Sequence, residues 1–183
     1  MRKQAGSTIY LERVLFVIAP RNHGKSTTLR SLFQDHRLGR NGKIPDELKL
    51  NDDYYLSNER RLYLRLTSPH EADENLDHFL SKCNEKMRGP GRWNFAGPLH
   101  PVAYKSMPDA VTTIDAFVNF FQPERVRVAL LSPNHQGTND LEWAENRDLS
   151  SDLLGIDGVE LIRIDVRKRN KNGLLLADFF DFT

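Results

Sequence analysis

The tightest constraint on this chain is the octapeptide Ala19-Pro20-Arg21-Asn22-His23-Gly24-Lys25-Ser26. It lies between the apolar run Val14-Leu15-Phe16-Val17-Ile18 and the periodic residues Leu29, Leu32 and Phe33. An uninterrupted apolar run of this length predicts a buried strand over about 12–18, and the i, i+3, i+4 spacing predicts a helix over 25–35. The junction is then a short loop whose backbone N–H groups can curl around a phosphate chain, with the positive end of the helix behind them. The backbone at Pro20, Arg21, Asn22, His23, Gly24 and Thr27 would form the cradle. Lys25 would reach the β- and γ-phosphates, and the Ser26 hydroxyl would ligate Mg²⁺.

Composition bounds what surrounds that loop. The 183 residues suffice for one domain with its own core. The 26 basic and 25 acidic side chains leave a net charge of +1, so charge gives no indication of nucleic acid or of an anionic membrane as partner. One cysteine, Cys83, excludes an internal disulfide and suits a reducing compartment. The early apolar run is too short for a membrane span and leads straight into the loop, so it reads as a strand rather than a leader. The expectation is a soluble, cytoplasmic protein.

Further strands are expected at about 53–57, 61–67, 93–97, 125–131 and 159–166, and further helices at about 69–87, 108–121 and 140–154. Leu76, Phe79, Leu80, Cys83 and Met87 repeat at helical spacing, which puts Cys83 in the core, and Val111, Ile114, Phe117, Val118 and Phe121 form a second stripe. Helices that alternate with strands imply an α/β fold of three layers with a mainly parallel sheet. Tyr54-Tyr55-Leu56 and Leu62-Tyr63-Leu64 flank Ser57-Asn58-Glu59-Arg60, which predicts an antiparallel edge hairpin. Ser68-Pro69-His70-Glu71 reads as a helix start, with Ser as N-cap and Glu completing a capping box. The Gly/Pro-rich stretch 88–108 is either functional or a surface connection. The apolar carboxy-terminal run from Leu174 to Phe182 is expected to dock on the core, with a partner-binding tail as the alternative.

The octapeptide matches the Walker A pattern, with Ala19 in place of the first glycine, and so resembles the phosphate loop of P-loop NTPases. More narrowly, Asn22-His23-Gly24-Lys25-Ser26 resembles the D-H-G-K-[ST] loop of translation-factor-like GTPases. Leu66-Thr67-Ser68-Pro69-His70-Glu71-Ala72-Asp73 resembles that family's D-x-P-G-H-x-D segment. The resemblance implies a P-loop NTPase fold, ATP or GTP with Mg²⁺ as ligand, slow hydrolysis coupled to a protein partner, and a water-orienting role for His70. Leu66 stands where that family has an Mg²⁺-linked Asp. Pro69 replaces a glycine whose N–H meets the γ-phosphate, and no N-K-x-D follows strand 125–131. These departures leave a non-hydrolysing nucleotide sensor open.

A third reading is a small P-loop kinase, since Asn51-Asp52-Asp53-Tyr54 resembles a segment of polynucleotide-kinase-like enzymes. Asp52 or Asp53 would act as base toward an acceptor hydroxyl, or as substitute Mg²⁺ partner, or lie in a solvated turn. Arg88, Arg92, Arg167 or Arg169 would then clamp the transferring group. His36, His78, His100 and His135 show no metal-ligand spacing.

Overall fold

The first strand, β1 (Leu11–Ile18), is apolar along most of its length because both of its faces are covered. In the computed structural model, which describes residues 9–47, 49–50, 52–133, 148–167 and 172–182, Val14, Phe16 and Ile18 point to one face and Leu15 and Val17 to the other. β1 leads through the loop into α1 (Lys25–Arg30), which continues as a 3₁₀ turn over Ser31–Gln34. The helix expected over 25–35 is thus split between two helical geometries.

The remaining elements follow the expected alternation. They are β2 (Asp53–Tyr55), β3 (Arg60–Leu64), α2 (Leu76–Lys86), β4 (Arg92–Leu99), α3 (Ala110–Phe121), β5 (Arg125–Leu131), α4 (Leu149–Leu154), β6 (Val159–Ile164) and α5 (Asn172–Phe180). The six strands form one sheet in the order β2-β3-β4-β1-β5-β6, parallel except for the antiparallel β2–β3 pair. The edge hairpin expected from sequence is therefore present. α2, α3 and α4 cover one face through Phe79, Phe117 and Leu153, and α1 and α5 cover the other through Leu29, Leu176 and Phe180. Helices on both faces of a mainly parallel sheet make an α/β fold of three layers.

Three local readings need correction. Ser68 does not cap a helix: its Oγ lies 3.2 Å from His70 Nδ1, and residues 69–73 form turns. α2 starts seven residues later, at Leu76, where Asn75 Oδ1 accepts the His78 N–H at 2.8 Å. Within 88–108, β4 runs on through Pro98, because β3 pairs only as far as Ala96 and no ladder hydrogen bond is needed from proline on that side. The carboxy-terminal run is helical and docked, with Leu176, Ala177, Phe180 and Phe182 fully buried. Most of the helix expected over 140–154 lies outside the described residues. No helix of the described residues is long and apolar enough to cross a membrane.

Candidate functional site

The sheet has a built-in crevice. β1 and β4 are neighbours, yet the chain leaving β1 turns to the α1 face and the chain leaving β4 turns to the α3 face. Such a divergence opens a cleft beyond the carboxyl ends of the two strands, where open α/β sheets bind ligands. Here the cleft has a volume of about 360 Å³ and is lined by Arg21 from the loop after β1, His100, Tyr104 and Lys105 from the loop after β4, and His70 and Glu71 from the turns after β3.

The loop itself is held in a conformation that turns its amides inward. Asn22 (φ 63°) and Gly24 (φ 85°) are both left-handed. Alternating right- and left-handed residues make the concave amide cluster that suits an anion. A Cβ on Gly24 would meet open space, so it is the backbone angle rather than crowding that favours glycine there. The His23 Nδ1–H donates to the Arg21 carbonyl at 2.6 Å and closes the loop on itself.

Beneath the loop sits Lys25, only 5% exposed. Its ammonium donates to the Pro20 carbonyl at 2.8 Å and lies 3.6 Å from Glu71 Oε1. Burial holds its pKa below the usual lysine range, a shift that Glu71 opposes. Ser26 and Thr27 are exposed on the first turn of α1, and the Ser26 hydroxyl donates to the Leu66 carbonyl at 2.7 Å. The segment after β3 therefore occupies the two side chains expected to meet phosphate and Mg²⁺.

His70 is 2% exposed and fully engaged by protein. A carbonyl can only accept, so its Nε2–H donates to Pro108 at 2.7 Å. Nδ1 then accepts from the His100 N–H at 3.4 Å and from Ser68 Oγ at 3.2 Å. Burial pushes its pKa down to about 4, with the nearby His100 and Lys25 adding to the effect. His100, whose ring centre lies 5.7 Å away, is likewise lowered by burial. His70 thus braces the loops after β3 and β4 in neutral form, and neither ring nitrogen is left to orient a water.

The other expected site residues lie apart from the loop. Asp53 pairs with Arg61 across the hairpin, and Asp52 pairs with Lys86 at 2.7 Å. β2 is three strands from β1, roughly 14 Å at the usual spacing, so neither carboxylate is brought to Ser26. Arg92 begins β4, and with Arg88 before it lies at the opposite end of the sheet from the cleft. Arg167 is paired with Asp165 at 2.6 Å, while Arg169, Asn134 and His135 lie outside the described residues. Sequence reasoning missed Glu71, His100, Tyr104 and Lys105 as cleft residues. The proline and glycine density of 88–108 was the one signal for the last three. Comparison with family models, with curated proteins and with solved structures finds no match to this chain.

Proposed function

We propose that the chain is a P-loop NTPase that binds a nucleoside triphosphate, ATP or GTP, with Mg²⁺ at residues 20–27. Lys25 carries the reading. A buried lysine, held by a carbonyl of its own loop and by Glu71 from the wall of an open cleft, is a cation with stand-in partners that a phosphate chain can replace. The left-handed Asn22 and Gly24 and the position of the cleft between β1 and β4 support the same reading. Among the described residues no three His, Cys, Asp or Glu side chains cluster to hold a metal, so Mg²⁺ would rely on the Ser26 hydroxyl, phosphate oxygens and water.

Hydrolysis by the isolated protein is slow on this reading. The segment after β3 offers Leu66 in place of a carboxylate, Pro69 in place of an N–H donor and a His70 already engaged on both nitrogens. A protein partner that supplies the missing groups would make the chain a switch. Calorimetric titration with ATP, GTP and their diphosphates, with and without Mg²⁺, tests the proposal. Lys25→Ala should weaken triphosphate binding by about 2–3 kcal/mol, the worth of one charge-assisted hydrogen bond. Equal affinity of mutant and wild type would remove the reading. Binding of both nucleotides with no phosphate release, alone or with cell extract, would leave a non-hydrolysing sensor.

One observation favours the small-kinase alternative. Asp52 borders a second cleft whose wall includes Leu66, the residue that accepts the Ser26 hydroxyl. Asp52→Asn should then abolish phosphoryl transfer to a nucleoside or oligonucleotide hydroxyl while sparing nucleotide affinity. Transfer that survives in Asp52→Asn excludes that residue as base.

A further inference from the structure

The second cleft, about 430 Å³, opens beside the 65–74 segment and shares no lining residue with the first. Its wall includes Lys49, Asp52, Arg65, Thr67 and Lys82. Arg65 is the unusual member. It is 7% exposed; its Nε–H donates to the Thr67 carbonyl at 2.7 Å and its Nη2 to Glu74 Oε2 at 2.7 Å. Nη1 is buried with no hydrogen-bond partner among the described residues, and the guanidinium carbon lies 5.3 Å from the centre of the Phe79 ring. A guanidinium presents five N–H donors in a rigid fork, and a buried donor left unmatched is costly. Glu74, itself 4% exposed, accepts from Lys82 Nζ at 2.9 Å on its other oxygen, so one carboxylate fixes two cations side by side. The lining cations Lys49, Arg65 and Lys82 outnumber Asp52 and Glu74 by one, while the adjoining Lys86 is balanced by Asp52, Glu85 and Asp53.

We propose that this cleft binds the phosphate group of a small phosphate monoester, a second ligand held beside the phosphate loop. Three separate cations in one wall suit a dianion with several acceptor oxygens better than a single-charged planar carboxylate. The volume is room for a sugar-phosphate-sized molecule. Leu66 links the two sites, since it lines this cleft and accepts the Ser26 hydroxyl. A monoester seated here would carry its hydroxyls toward Asp52 and the loop. That placement rests on the nucleotide reading; the anion site itself does not.

Calorimetric titration of the full chain with ribose 5-phosphate, and with ribose as control, tests it. Saturable binding of ribose 5-phosphate is expected in wild type and in Lys25→Ala, with none for ribose. Lys82→Gln and Arg65→Lys should each weaken it about tenfold, as expected when one charge-assisted hydrogen bond is removed. Lys82 is 40% exposed and Glu74 keeps its hydrogen bond from Arg65, so Lys82→Gln is expected to fold, and the exposed Lys49→Gln serves as a further variant should Arg65→Lys fail to fold. No saturable binding to Lys25→Ala, or binding unchanged in both Lys82→Gln and Lys49→Gln, overturns the proposal. Ribose 5-phosphate binding in a protein that binds no triphosphate would sink the nucleotide reading alone; the reverse result would sink this one alone.

Discussion

Two side chains carry the site's electrostatics. Glu71 competes with any phosphate for Lys25, at a distance of 3.6 Å and with about a third of its side chain exposed. Glu71→Gln removes that competitor and should raise triphosphate affinity severalfold at low salt, an effect that shrinks as salt screens the pair; unchanged affinity would show the contact to be incidental. His70 makes a pH prediction. Its folded pKa of about 4 lies below the ordinary 6.5. Between those values the unfolded chain binds a proton that the folded one does not. The contribution is therefore complete above the ordinary value and is lost as pH falls toward the folded one, at a cost of about 3 kcal/mol. Urea unfolding at about pH 7 and about pH 4.5 should show a larger loss for wild type than for His70→Gln, whose side-chain amide keeps a donor toward Pro108 but does not titrate.

At the scale of elements, the most exacting contact is between α5 and the 3₁₀ turn after α1. A Cβ on Gly173 would lie 2.1 Å from the Ser31 carbonyl oxygen and 2.2 Å from Gln34 Oε1. Backbone cannot yield as a side-chain tip can, so Gly173→Ala should destabilise the protein by about 1–3 kcal/mol, read as a lower urea midpoint. Nearby Leu174→Ala, on the exposed side of the same helix, should change stability little. The same contact sets α5 against α1, the helix that follows the loop. A looser loop in Gly173→Ala would appear as weaker triphosphate binding in the folded fraction.

Across the whole molecule, sheet order decides what meets the loop. β4 lies between β1 and β3, so His100, Tyr104 and Lys105 come to the cleft directly, while the segment after β3 reaches it only by its long turns. Nothing recognisable as a guanine reader follows β5 in the sequence, although residues 134–147 lie outside the described region. Affinities for ATP and GTP should therefore differ by less than about a hundredfold, since a preference of that size, about 2.7 kcal/mol, needs side chains that hydrogen-bond the ring edge and the sequence offers none at the expected place. A larger preference for GTP would assign base recognition to Asn134 or its neighbours.

β1, the loop and the start of α1 were legible because their signals are local. An apolar run reads as a strand wherever both of its faces are covered, and the Lys25-Ser26 spacing is fixed by the turn itself. The β2–β3 hairpin and the core position of Cys83 were legible for the same reason. Local reasoning failed where two local solutions compete. Ser68-Pro69-His70-Glu71 carries every mark of a helix cap, yet packing of His70 against Pro108 and His100 draws the Ser68 hydroxyl to the imidazole and leaves the cap to Asn75. α5 was missed as a helix because its run is apolar nearly all round and shows no stripe. Strand order, the two clefts and the engagement of Lys25 by Glu71 were decided by the tertiary structure alone. They depend on which face each crossover takes, a choice made by packing between segments far apart in the chain and written in no single stretch of it.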